Sequence, residues 1–311
     1  MTASAPLLTL GTRGSPLALA QARMTASALR EAHGLSEDAV ATEIIRTTGD
    51  ATQDRPLSEI GGKGLFTKEI DAAQLEGRVD LAVHSAKDLP TILPDGLVVA
   101  GYLPRNDIRD ALIAPRWKTL ANLPQGAKVG TVSLRRQALL KRLRPDLVIE
   151  MLRGNVQTRL DKAANGTFDA VVLAMAGLNR LGLAEHATEA LDPESFTPAV
   201  GQGAIALVAR DGDARILSLT SAIAHRETGL ALAAERAFLG VLDGSCRTPI
   251  GGSARLVDGG LLFAGIVLAP DGARAWTRAA RLPAPTEAKA AELGASLGRE
   301  LRAEIPAGLV G

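Results

Sequence analysis

One cysteine, Cys246, stands in the run Leu242-Asp243-Gly244-Ser245-Cys246-Arg247-Thr248-Pro249. Its Gly, Ser and Arg neighbours predict an exposed turn, whereas most structural cysteines lie among apolar residues. With no second cysteine in 311 residues, an intrachain disulfide, a CxxC redox pair and a Cys-rich zinc site are excluded. A nucleophile, a covalent attachment point or a tolerated surface thiol remain, and adjacent Arg247 favours thiolate.

Basic and hydroxyl residues recur where a strand pattern runs into a helix pattern. Arg13-Gly14-Ser15 precedes one helix, Ser133-Leu134-Arg135-Arg136 opens another, and Arg153-Gly154-Asn155 precedes a third that carries Arg159. Free N–H groups and the positive dipole end make each helix start an anion site, and arginine adds bidentate recognition of carboxylate or phosphate. Any one junction reads equally as ordinary capping with surface salt bridges. Three junctions together point to a ligand with several separated anionic groups.

The segment His84-Ser85-Ala86-Lys87-Asp88-Leu89-Pro90 follows an apolar strand pattern, where parallel sheets place functional groups. Lys87 and Asp88 could address a ligand anion and a developing cation respectively. No G-x-S-x-G elbow surrounds Ser85, which disfavours a hydrolase triad. Gly61-Gly62-Lys63-Gly64 lacks the earlier glycine and the following Ser or Thr of a phosphate loop, so a loop with a cationic tip is the better reading. Gly201-Gln202-Gly203, late in the chain and after Pro198, reads as a hinge rather than a dinucleotide fingerprint. Four scattered histidines and one cysteine supply no metal cluster.

These residues need elements to position them. Leu7–Leu10 reads as a strand, Gly11–Ser15 as a loop, and Pro16–Glu31 as a helix capped by Ser15. Strand patterns follow at Glu43–Thr47 and Asp80–Ser85, with a helix over Gly64–Glu76 between them. After a connector at 101–110, strands ending near Thr131, Leu152 and Ala174 alternate with helices from Ser133 and Asn155. A second connector spans 197–204. The repeated alternation predicts an α/β fold with largely parallel, doubly wound sheets in two domains, 1–103 with 203–221 and 108–198. A small α+β domain, 222–311, follows: a helix over Leu230–Leu242, the cysteine turn, strands at Leu261–Leu268 and Ala275–Leu282, and a helix over Glu287–Ala303.

Bulk properties narrow the class. A net charge of +1 gives no global field toward nucleic acid or membrane, and 3% aromatic content argues against stacked-base recognition. No basic segment followed by a long apolar run opens the chain, and no stretch reaches spanning length. A cytoplasmic location is expected, which a single free cysteine fits.

Eight collinear motifs resemble those of the porphobilinogen deaminase (hydroxymethylbilane synthase) family. They are Thr12–Gln21, Gly61–Phe66, Ala82–Pro90, Gly130–Arg136, Leu152–Val156, Ala174–Arg180, Pro198–Ala204 and Gly244–Gly251. The resemblance implies two domains similar to type II periplasmic binding proteins and a third carrying the cysteine. It implies a transferase of tetrapyrrole biosynthesis that joins four porphobilinogen molecules head to tail, releasing ammonia, to form hydroxymethylbilane. The primer would be a dipyrromethane cofactor held by a thioether to Cys246, with Asp88 as the catalytic carboxylate. Arg13, Ser15, Lys63, Lys87, Ser133, Arg135, Arg136, Arg153, Arg159 and Arg180 would bind carboxylates, joined by Gln21, Ser85 and Gln202. A monomer is also implied. Departures from the usual family pattern are Glu59, Val132 and the turn Gly244-Ser245-Cys246-Arg247-Thr248. The competing reading is a non-catalytic two-domain anion-binding protein with an unrelated third domain, against which Asp88 and Cys246 count.

Overall fold

The computed structural model describes residues 6–51, 64–242, 248–306 and 308–309. In chain order the elements begin with β1 (Leu8–Arg13), α1 (Pro16–His33), β2 (Val40–Ile45), α2 (Thr48–Ala51), α3 (Lys68–Leu75), β3 (Leu81–Ser85) and β4 (Leu97–Tyr102). Next come β5 (Asp110–Ile113), β6 (Lys128–Gly130), α4 (Leu134–Leu143), β7 (Val148–Glu150), α5 (Val156–Ala164), β8 (Ala170–Ala174), α6 (Met175–Leu181) and β9 (Glu189–Ala190). The last are β10 (Ile205–Arg210), α7 (Ala214–Ser221), α8 (Arg226–Val241), β11 (Ile250–Val257), β12 (Gly260–Leu268), β13 (Ala275–Pro283) and α9 (Glu287–Glu304). Among the described residues no helix is long and apolar enough to cross a membrane.

The described residues form two compact units. One draws on 6–51, 64–105 and 204–229, and the other on 106–203 and the residues from 230 onward. The first contains a five-stranded sheet in the order β2-β1-β3-β10-β4. β1 is parallel to β2 and β3, but β10 is antiparallel to both β3 and β4. The sheet is therefore mixed, not largely parallel. Alternation cannot reveal this, because β10 enters the sheet from more than a hundred residues beyond its partners. Leu8 and Leu10 of β1, Leu81 and Val83 of β3, and Ile205 and Leu207 of β10 share a core with Ala26 and Leu29 of α1 and Ile216 of α7. Alanines on the buried side of α1 (Ala18, Ala22, Ala26) offer the sheet a face of small side chains.

The second unit repeats the plan with the order β7-β6-β8-β5-β9, β5 running antiparallel to β8. Ala170 and Val172 of β8 enter one core cluster and Val171 and Leu173 another, so this strand is apolar on both faces. A three-stranded antiparallel meander, β11-β12-β13, belongs to the same unit. Ile266 and Leu268 of β12 are buried with Leu139 and Leu140 of α4, and Phe238 of α8 packs on Phe263 with ring centroids 5.0 Å apart.

Candidate active site

In the first unit, β1, β2 and β3 end on the same side of the sheet because they run parallel. β1 extends through Arg13, which pairs in register with Ile45, so Arg13 ends a strand instead of lying in a loop. Ser15 caps α1, its Oγ accepting from the Ala18 N–H at 3.3 Å. β3 delivers Ser85, exposed Lys87 and half-buried Asp88 through a single helical turn. Arg13, Ser15, Gln21, Phe66, His84, Ser85 and Asp88 line a cleft with about 350 Å³ of empty space. Gln21, buried on α1, donates to Ser85 Oγ at 2.8 Å.

Electrostatically the cleft is organised around Arg13. Its Nε donates to Asp50 Oδ2 at 3.0 Å, its Nη2 meets Asp50 Oδ1, and its Nη1 lies 3.9 Å from Asp88 Oδ2. The guanidinium also sits 4.1 Å from the centre of the Phe66 ring, a cation–π stack. Burial disfavours the Arg13 charge, but the hydrogen bond to Asp50 and the nearby Asp88 carboxylate outweigh it and raise its pKa. Asp50, partly buried, is held below the usual carboxylate range by Arg13 and by Thr47. Burial, then the Arg13 charge, pushes His84 down to about 4. The sequence assigns no chemical role to Asp50 or Phe66, and His84 enters only through the disfavoured hydrolase triad. The signal for Asp50 would have been an acid shortly after a strand adjacent to the one ending in Arg13.

The second unit assembles a different cluster at the corresponding strand ends. Ser133 caps α4, accepting from the Arg136 N–H at 3.4 Å, and Asn155 caps α5, accepting from the Thr158 N–H at 2.9 Å. Arg135 and Arg136 are not surface arms. Both are buried around Asp110, which is fully buried at the start of β5. Arg135 Nη1 is 2.8 Å and Arg136 Nη2 2.7 Å from its carboxylate oxygens, and Gln202 Nε2 donates to it at 3.1 Å. Arg136 also donates to the Val172 carbonyl at 2.7 Å and Arg135 to the Thr197 carbonyl at 2.6 Å. Burial alone would raise the Asp110 carboxyl, but the two guanidiniums hold it down at about 2.

Arg153 and Arg159 are half-buried around the start of α5, and Arg159 Nε donates to the Gly154 carbonyl at 2.9 Å. Arg180 Nη2 donates to the Gly203 carbonyl at 2.6 Å, and burial pushes its pKa down to about 10. Gly203 adopts φ +87°, and a Cβ there would meet the Asn106 carbonyl oxygen at 2.5 Å, so this turn requires glycine. Two candidates, Lys63 and Cys246, lie outside the described residues. Within each unit the structure brings the remaining candidates to the same strand ends.

A family model described as porphobilinogen deaminase, dipyromethane cofactor binding domain, matches residues 8–218, and one described as porphobilinogen deaminase, C-terminal domain, matches residues 230–303. The chain belongs to the porphobilinogen deaminase family. Relatives bearing that name include a protein of Nitrobacter hamburgensis, 53% identical over 95% of this chain and 93% of that protein. A Paracoccus denitrificans relative is 52% identical over 96% and 94% respectively. Solved structures with partial likeness include a YaeC-family lipoprotein from Enterococcus faecalis, 17% identical at TM-score 0.40 over 71% of this chain and 93% of that one. A Salmonella typhimurium periplasmic binding protein described as arginine-specific is 12% identical at TM-score 0.39 over 70% and 91%.

The residues present fit the dipyrromethane group that the family's first domain is named for. Porphobilinogen-derived pyrroles carry acetate and propionate groups, so such a ligand is a polycarboxylate. In the second unit two buried guanidiniums, Arg135 and Arg136, face one buried carboxylate, Asp110, a surplus of one positive charge. Buried charges are stable only when paired. Arg135 Nε and Arg180 Nε are also buried without a hydrogen-bond partner among the described residues. Among the described residues, this cluster therefore holds more buried positive charge than Asp110 balances, which suits a polycarboxylate.

Proposed function

We propose that this porphobilinogen deaminase family member is a transferase that joins four porphobilinogen molecules head to tail, releasing ammonia at each step, to give hydroxymethylbilane. The observation that carries this reading is the pairing, in one cleft, of a half-exposed carboxylate, Asp88, with a guanidinium held at 3.9 Å by other partners.

In this reading Asp88 is the catalytic carboxylate. It faces the pyrrole nitrogen of porphobilinogen and offsets the positive charge that develops there as the aminomethyl group leaves as ammonia. The same oxygens can take and return the proton on that nitrogen. Arg13 and the N–H groups at the start of α1 receive a substrate carboxylate, and Ser85, fixed by Gln21, supplies a neutral hydrogen bond. Arg135, Arg153, Arg159 and Arg180 neutralise acetate and propionate groups, with Ser133 at the start of α4. Arg136 and Gln202 act at one remove, because both reach Asp110 and thereby hold Arg135 in place. Lys63 and Lys87 add cationic contacts. Cys246 holds the dipyrromethane through a thioether, and that group, when bound, supplies the pyrrole carbon to which the first substrate unit is joined. The reading also makes the protein a cytoplasmic monomer.

The test is turnover of porphobilinogen by purified protein, followed as ammonia released and hydroxymethylbilane formed. Wild type is expected to release four ammonia per product, and Asp88→Asn to keep its covalent adduct while turning over at least a hundredfold more slowly, the range for loss of one general acid–base or charge-stabilising group, on the order of 10². Near-normal turnover by Asp88→Asn would remove Asp88 from this role.

A further inference from the structure

Three charges meet in the cleft of the first unit: Arg13 from β1, Asp50 from α2 and Asp88 beyond β3. Arg13 is oriented by Asp50, not by Asp88. Asp50 takes the Nε–Nη2 edge in the two-point geometry that guanidinium and carboxylate favour, whereas 3.9 Å to Asp88 is beyond hydrogen-bond length. Asp50 is itself fixed by Thr47, whose Oγ1 donates to Oδ2 at 2.8 Å. Glu69 of α3 accepts from the Thr48 N–H at 2.9 Å and so ties the start of α2 to α3. The Phe66 ring lies against the guanidinium, its centre 4.1 Å from Arg13 Cζ.

We propose that Asp50 is a positioning residue for the Asp88 carboxylate: by occupying Arg13, it keeps that guanidinium from closing on Asp88 and leaves the Asp88 oxygens to the substrate. This rests on reading Asp88 as the catalytic carboxylate. The charge balance gives the sign. Arg13 stands between the two carboxylates, bonded to Asp50 at 3.0 Å and 3.9 Å from Asp88. Without the Asp50 charge, the repulsion it exerts on Asp88 disappears and Arg13 is released toward Asp88, and both changes favour ionised Asp88. Among the described residues the surrounding elements also carry His84, buried and neutral on β3, exposed Lys87 beside Asp88, and on α3 Glu69, turned to Thr48, with Lys68 and Asp71. Ser15 and Gln21 of the α1 region and Phe66 carry no charge.

The experiment follows the Asp88 carboxyl carbon by carbon-13 NMR in aspartate-labelled holoenzyme, with Asp88→Asn identifying the resonance. In Asp50→Asn its midpoint is expected to fall by about one pH unit, the lower end of the shift a neighbouring arginine produces. The acid limb of kcat/KM for porphobilinogen moves with it, and Asp50→Glu restores both. Asp50→Ser gives a second reading of the shift if the asparagine variant folds poorly. A midpoint that stays put or rises when the Asp50 charge is removed overturns the proposal. The midpoint needs no turnover, so wild-type protein that leaves porphobilinogen unchanged would refute the functional reading separately.

Discussion

Arg13 and Arg135 show the same design at the residue scale: each guanidinium is aimed by a protein carboxylate that does not use it up. Asp50 holds one edge of Arg13, and Asp110 is shared between Arg135 and Arg136. Lone exposed arginines would cost rotamer entropy on binding, whereas these are fixed beforehand. His84 lies in the same cleft and stays neutral because burial and Arg13 both oppose its protonation. That gives stability a pH dependence with a definite sign. The unfolded chain takes up a proton near the ordinary histidine pKa of about 6.5, while the native protein resists until about 4. The native state therefore binds fewer protons across this window. The contribution is intact above about 6.5 and is lost progressively as pH falls to about 4, amounting to about 3 kcal/mol. Urea denaturation at pH 7 and pH 4.5 is expected to show a larger loss for wild type than for His84→Gln, whose side chain does not titrate. Equal losses in the two proteins would contradict a neutral buried His84.

At the scale of elements, helices α8 and α9 pack backbone against backbone. A Cβ on Gly294 of α9 would stand 1.9 Å from the Ala234 carbonyl oxygen of α8, and one on Gly298, a turn later, 3.0 Å from that of Phe238. Helix backbone cannot yield as a flexible side chain can, so Gly294→Ala is expected to cost about 3 kcal/mol, the upper range for overpacking. Thermal denaturation monitored by circular dichroism measures this, and a loss below about 1 kcal/mol would show that the helices part easily. Glu235 of α8 adds a buried anchor, accepting from the N–H groups of Gly201 and Ala254, both at 2.7 Å.

The local signals in the sequence were strong for these helices. Ser15, Ser133 and Asn155 each occupy the N-cap that their position before an apolar pattern predicts. Strand direction was not legible, because the partner of Ile205 is Ser85, far back in the chain. β11 carries no clear strand signal, since Gly251 and Gly252 read as loop residues. They are glycines for packing, with Pro198 and Thr197 close to one and Val200 and Phe238 close to the other. At the site, the cations stood out at strand–helix junctions, where hydroxyl caps and arginines form a pattern. Their carboxylate partners did not: Asp50 and Asp110 become meaningful only once folding brings them to Arg13 and Arg136.

Across the whole molecule, a net charge of +1 leaves no long-range field to gather a polyanionic ligand. Positive charge is concentrated locally, in guanidiniums that the described carboxylates only partly balance. Such a cluster suits a ligand that stays through many turnovers, which is what a covalent tether provides. The only cysteine in the chain is Cys246, so the proposed thioether has a single possible sulfur. Intact-protein mass spectrometry of freshly purified protein tests this most directly. Wild type is expected to be heavier than its sequence by two linked pyrrole units, and Cys246→Ala to have the mass of its sequence alone. An unmodified mass in a wild-type preparation that consumes porphobilinogen would contradict the account.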